Sequence, residues 1–95
     1  MNLYEVLYVI TPDLDEETTR GVVEKFEGVI TSNGGEVTKT DVWGKRKLAY
    51  PIAKKTEGFY VLVDFSADAE LPKELERNFK IDERILRYMV IRKEA

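Results

Sequence analysis

Two stretches of this sequence space their apolar residues at the helical period, and each is bracketed by runs of β-branched and aromatic residues. The first helical stretch places Val22, Val23, Phe26, Val29 and Ile30 on one stripe; the second aligns Leu71, Leu75 and Phe79. Asp15, followed by Glu16 and Glu17, has the form of a helix N-cap with acids in the first turn, and Asn33-Gly34-Gly35 forms a stop. The second helix is expected to start near Asp68 and to tolerate Pro72 early in its course. Strands are expected over Leu3–Ile10, about Glu36–Tyr50 with a bulge at Gly44, Gly58–Phe65 and Ile85–Arg92, with Pro51–Glu57 as a basic hairpin loop. Gly21 and Gly28 weaken the first helix, and close packing against a sheet is the expected reason.

The order strand–helix–strand–strand–helix–strand, joined by right-handed crossovers, predicts an α+β ferredoxin-like split βαβ sandwich. Two helices would cover one face of a four-stranded antiparallel sheet with the first and third strands central. At 95 residues, with no linker or internal repeat, residues 1–95 are expected to form a single domain.

A sheet covered on one side should alternate apolar and polar residues along its central strands. Here the strands are apolar on both faces, interrupted chiefly by Glu5, Asp64 and Arg87. If those charges mark the uncovered side, Leu7, Val9, Tyr60, Leu62, Met89 and Ile91 share it. The helices then meet Val6, Tyr8, Ile10, Val61, Val63, Phe65, Tyr88 and Val90. An exposed apolar patch drawn from three neighbouring strands is of the kind that docks a partner protein, although scattered apolar surface residues are also ordinary. Glu5 and Asp64 could be read as an acid/base pair; the plainer reading is a solvated face or charges that balance Arg87.

The chain has no cysteine and no histidine, which removes disulfides, thiol catalysis, Cys/His zinc sites and the usual neutral-pH general base. No catalysis, metal, cofactor or small-molecule substrate is expected. There is no apolar run of membrane-spanning length and no leader, so a soluble, cytoplasmic protein is expected.

A formal net charge of -3 argues against a polyanion partner, but the cations are unevenly placed. Lys45–Lys55 carries five bases and no acid, and Arg84–Lys93 carries four bases and no acid. In Trp43-Gly44-Lys45-Arg46-Lys47-Leu48-Ala49-Tyr50-Pro51-Ile52, aromatic rings flank a run of three bases. Such a run can blunt an edge strand against aggregation. It equally suits RNA, whose phosphates meet the cations and whose unpaired bases stack on rings.

The same segment carries a resemblance: WGKRKLAYPI, Trp43–Ile52, resembles the basic strand and turn of the family of ribosomal protein six of the bacterial small subunit. Supporting pieces are Tyr4-Glu5, Ile10–Asp13, Lys54 through Gly58 to Tyr60, and Arg84 through Arg87 to Val90, so the likeness runs from about Leu3 to Lys93. The resemblance implies a ferredoxin-like assembly protein that binds central-domain small-subunit ribosomal RNA together with ribosomal protein eighteen. Carried onto this sequence, it makes Tyr4, Lys45, Arg46, Lys47, Lys54, Lys55, Arg87, Arg92 and Lys93 the RNA-facing candidates. The open-face set Leu7, Val9, Tyr60, Leu62, Met89 and Ile91 becomes the candidate contact with the neighbouring protein. Many members have a longer C-terminal tail; with the sequence ending at Ala95, contacts through such a tail are not expected here. The rival readings are a ferredoxin-like regulatory domain that pairs with itself or binds a metabolite, and a small enzyme of the same fold.

Overall fold

In the computed structural model, residues 1–93 are described; the end of the chain at Ala95 lies outside them. The elements run β1 (Asn2–Ile10), α1 (Glu16–Ser32), β2 (Glu36–Ile52), β3 (Lys55–Ala67), α2 (Leu71–Ile81) and β4 (Ile85–Lys93). The sheet order is β2-β3-β1-β4 with every neighbouring pair antiparallel, so β1 and β3 are central, as the ferredoxin-like reading requires.

Each helix starts and stops where its residues dictate. The Asp15 carboxylate accepts the Thr18 amide at 2.6 Å, which satisfies one of the unpaired donors of the first turn of α1. At the other end the Gly34 and Gly35 amides donate to the carbonyls of Thr31 and Ile30, the paired closure of a Schellman motif. The second helix begins at Leu71, three residues later than expected, because Pro72 falls naturally in a first turn; the Asp68 carbonyl accepts the Leu71 amide in the preceding turn. Gly21 and Gly28 do not pack against the sheet. Both are exposed, and a Cβ at either would touch nothing, so their expected packing role is incorrect.

The helices press Val22, Phe26, Ile30, Leu75 and Phe79 onto Val6, Tyr8, Ile10, Val61, Val63 and Phe65, all fully buried. Phe79 sits at the middle of an aromatic cluster, 4.4 Å from Phe26, 5.0 Å from Tyr8 and 5.2 Å from Tyr88 between ring centroids. Such pairs add about 0.5–1.5 kcal/mol each beyond their buried area. The turn into β4 is held by Asp82, whose side chain is 4% exposed and pairs with Lys25 and Arg84, each at 2.8 Å.

The segment Pro51–Glu57 is not a loop. The β2–β3 ladder runs to Ile52 and Lys55, leaving Ala53 and Lys54 as a two-residue turn. Both have positive φ, 49° and 66°, the conformation of a type I′ turn. The hairpin therefore projects as a two-stranded arm past the Ile10 end of the sheet. Pro51 is tolerated because β2 is an edge strand.

Candidate nucleic-acid and partner interface

Among the described residues no helix lies over the second face of the sheet, and the register fixes what that face carries. Across β3, β1 and β4 the rows read Asp64–Glu5–Ile91, Leu62–Leu7–Met89 and Tyr60–Val9–Arg87. Met89 and Ile91 are 46% and 45% exposed, and Leu7, Tyr60 and Leu62 are half-buried. Leu3, which shares the parity of Glu5 and Leu7, is also exposed and extends the patch. It was recoverable from the alternation alone. Val9 differs from the expected contact set: it belongs to this face but is only 3% exposed. Gly58 stands beside it without a side chain, a Cβ there would collide with Val9, and Leu48 from the arm packs over the same spot. The chain thus covers Val9 itself and leaves the remainder of the face uncovered.

The acids of this face are already engaged in part. Asp64 faces Lys93 at 3.5 Å and Lys39 across the ladder, while Glu5 sits beside it on β1. With neither cysteine nor histidine in the chain, no thiol or imidazole accompanies them. Among the described residues no group of three or more metal-ligating side chains converges.

The RNA-facing candidates fall into separate groups. Lys45, Arg46, Lys47, Lys54 and Lys55 gather on the arm and its root. Within this group, Lys45, Arg46, Lys47 and Lys54 form no ion pair among the described residues. Strand alternation divides them: Arg46 opposes Gly58 on the open face, whereas Lys45 and Lys47 oppose Phe59 and Glu57 and point to the helix side. Lys55 donates to Asp13, and its ammonium is the main cause of a carboxyl held below the usual carboxylate range. That contact fastens the arm to the β1–α1 connection. Arg87 also lies at this end, where its guanidinium donates to the Tyr50 hydroxyl at 3.1 Å and ties the arm to β4 across the open face.

Arg92 and Lys93 sit five and six residues along β4 from Arg87, roughly 17–20 Å at strand spacing. Arg92 donates to the Asn2 side chain at 2.8 Å, and Lys93 is paired with Asp64, so neither joins the arm's cations. Tyr4 does not join them either. Its even parity puts it beneath the helices, 6% exposed and stacked on Phe65 at 5.5 Å, where it can reach no phosphate. The Tyr4-Glu5 motif marks a strand that buries its ring.

Sequence reasoning did not anticipate how the bulge at Gly44 recasts β2. Gly44 has φ +81°, and Trp43 is the extra residue between the pairs Val42–Val61 and Gly44–Tyr60. Beyond it, Arg46 stands on the same face as Trp43, and Leu48 and Tyr50 also reach over the open face from the arm.

The geometry has close counterparts. The family model described as Ribosomal protein S6 matches residues 3–92. The chain is 57% identical over 91 residues to the small ribosomal subunit protein bS6 of Clostridium acetobutylicum, with 96% of each chain covered. It is 51% identical over 92 residues to that of Caldanaerobacter subterraneus subsp. tengcongensis, with 97% of each covered. The crystal structure of 30S ribosomal protein S6 from Thermotoga maritima superposes with a TM-score of 0.93 at 31% identity, covering 97% of this chain and 87% of that one. On this end-to-end agreement of sequence and fold, the chain belongs to the ribosomal protein S6 family.

Proposed function

We infer that this chain is a structural, non-enzymatic constituent of the bacterial small ribosomal subunit, and that it binds central-domain ribosomal RNA jointly with ribosomal protein eighteen. The observation that carries the RNA half is the gathering of Lys45, Arg46, Lys47 and Lys54 on a projecting arm without ion-pair partners among the described residues. Cations left unpaired by their own chain are available to phosphate, and each such contact releases condensed counterions. The open face supports the protein half: Leu3, Leu7, Leu62, Met89 and Ile91 form an apolar strip with Glu5 and Asp64 beside it, which fits a partner that is apolar with basic flanks.

The division of labour is sequential in space. The partner covers the apolar strip and offsets the net charge of -3. The arm then presents its bases alongside those of the partner. Lys45→Glu with Arg46→Glu should leave the fold intact, since both side chains are exposed. It should reduce retention of the protein pair on a central-domain RNA fragment by at least about tenfold in filter binding and flatten the salt dependence by roughly two units of log K per decade. Unchanged retention rejects the RNA assignment. Sedimentation addresses the protein half: a monomer that gains mass only with protein eighteen supports it, and a tight homodimer through the bare face replaces it.

A further inference from the structure

Among the exposed aromatic rings, Trp43 is set in a built environment. Its ring plane lies within 7° of that of Tyr60, with centroids 6.0 Å apart. Its indole N–H donates to the Asp41 carboxylate at 3.2 Å, so the ring is fixed in its plane rather than free to rotate. The indole remains 40% exposed. Asp41, Val42, Trp43, Arg46, Lys47 and Tyr60 line one shallow hollow of about 640 Å³ along the outer edge of β2 at the arm's root, with Trp43, Tyr60 and Arg46 on its open-face side.

The bulge explains how these groups meet. In a regular strand, residues three apart point to opposite faces, so Trp43 and Arg46 would be separated by the sheet. The extra residue at Trp43–Gly44 shifts the phase by one and returns Arg46 to the side of the indole. A strand that only needed cations to blunt its edge has no use for that arrangement. A large apolar ring immobilised beside a guanidinium, both open to solvent, is what a nucleotide presents a match for: a flat base and a phosphate a few ångströms away.

We propose that Trp43, backed by Tyr60, is a stacking platform for one unpaired RNA base, with Arg46 holding the adjoining phosphate. This rests on the RNA reading above and makes it more specific: the arm contacts a single-stranded or bulged nucleotide as well as backbone. Because any base has a π face, the platform reads the unpaired state rather than a particular base. Tyr50 lacks the same support, because among the described residues no aromatic ring stacks behind it as Tyr60 does behind Trp43. Charge separates this occupant from a protein side chain: Arg46 and Lys47 flank the hollow, and its one acid, Asp41, is engaged by the indole N–H.

Trp43 is the only tryptophan of the chain, so it reports on itself. The pair with protein eighteen is titrated with a central-domain RNA fragment, and the signal of the Trp43→Leu pair is subtracted as a blank. Stacking predicts quenching of the Trp43 emission on binding. Trp43→Leu should weaken RNA binding by about tenfold with an unchanged salt slope, and Trp43→Phe should recover most of the loss. Thermal unfolding and pairing with protein eighteen in the absence of RNA should be unaffected. If Trp43→Leu binds RNA as tightly as the native chain while Lys45→Glu with Arg46→Glu does not, the platform is wrong and the RNA reading stands. If Trp43→Leu weakens the protein pair without RNA, the ring is a protein contact and the proposal falls. If neither variant changes RNA binding, both readings fall together.

Discussion

The Tyr8 hydroxyl is buried without a hydrogen-bond partner. Burial, and the Glu27 carboxylate second, push its ionisation well above the ordinary tyrosine value, so the group is neutral at any working pH. An orphaned hydroxyl carries a desolvation cost that its ring does not need to incur. Tyr8→Phe should therefore preserve the aromatic cluster and leave stability unchanged or raise it by up to about 1 kcal/mol, as read from urea unfolding. Asp82 is the opposite case. Its carboxylate accepts from the Arg84 guanidinium, from Lys25 and from the Arg84 amide, and these hold its pKa far below the usual carboxylate range against the cost of burial. The unfolded carboxyl titrates near pH 4, so the contribution is complete above about pH 5 and drains away as pH falls from about 4 through the native value. Asp82→Asn should cost about 2–3 kcal/mol at pH 7 and flatten the acid limb of a stability–pH curve; an acid limb of undiminished steepness would place the linkage on another carboxylate.

At the scale of elements, α1 follows its local sequence signals at both ends and along its buried stripe, but not at its glycines. Its stripe, its Asp15 cap and its Asn33-Gly34-Gly35 stop are local signals, fixed by spacing and by hydrogen-bond chemistry within a few residues. Whether a helix glycine faces a neighbouring backbone or water depends on packing, which no local pattern encodes. Since Gly21 and Gly28 face water, each should accept Ala with a gain of about 0.5–1 kcal/mol, additive because the sites are two turns apart, and with RNA binding untouched. A loss at either position in a thermal melt would mean that the position contacts something. The hairpin shows the same limit. Its bases and Pro51 read as a loop, yet pairing resumes at Ile52 and Lys55 after a register break beyond Lys47, because edge strands admit proline and the type I′ turn at Ala53-Lys54 closes two strands within two residues.

For the molecule as a whole, the fold was legible because element order and handedness leave little choice, and β1 and β3 are central as expected. The uncovered face was legible from Glu5, Asp64 and Arg87, since period-two alternation carries Leu7, Tyr60, Leu62, Met89 and Ile91 with them. Three features of the surface were not. The burial of Tyr4 follows from parity but was outweighed by its place in a motif. The cover over Val9 comes from Leu48, ten residues before the glycine that makes room for both. The pairing of Trp43 with Arg46 depends on a phase shift that a lone glycine signals without saying which side chains it realigns. The register of β2 against β3 breaks at Val37/Lys39, Val42/Gly44 and Lys47/Ile52. A foreign strand needs an unbroken row of amides and carbonyls to copy, and this edge offers only short lengths of one. The longest border of the sheet is therefore the one least able to recruit a second molecule by extending the ladder.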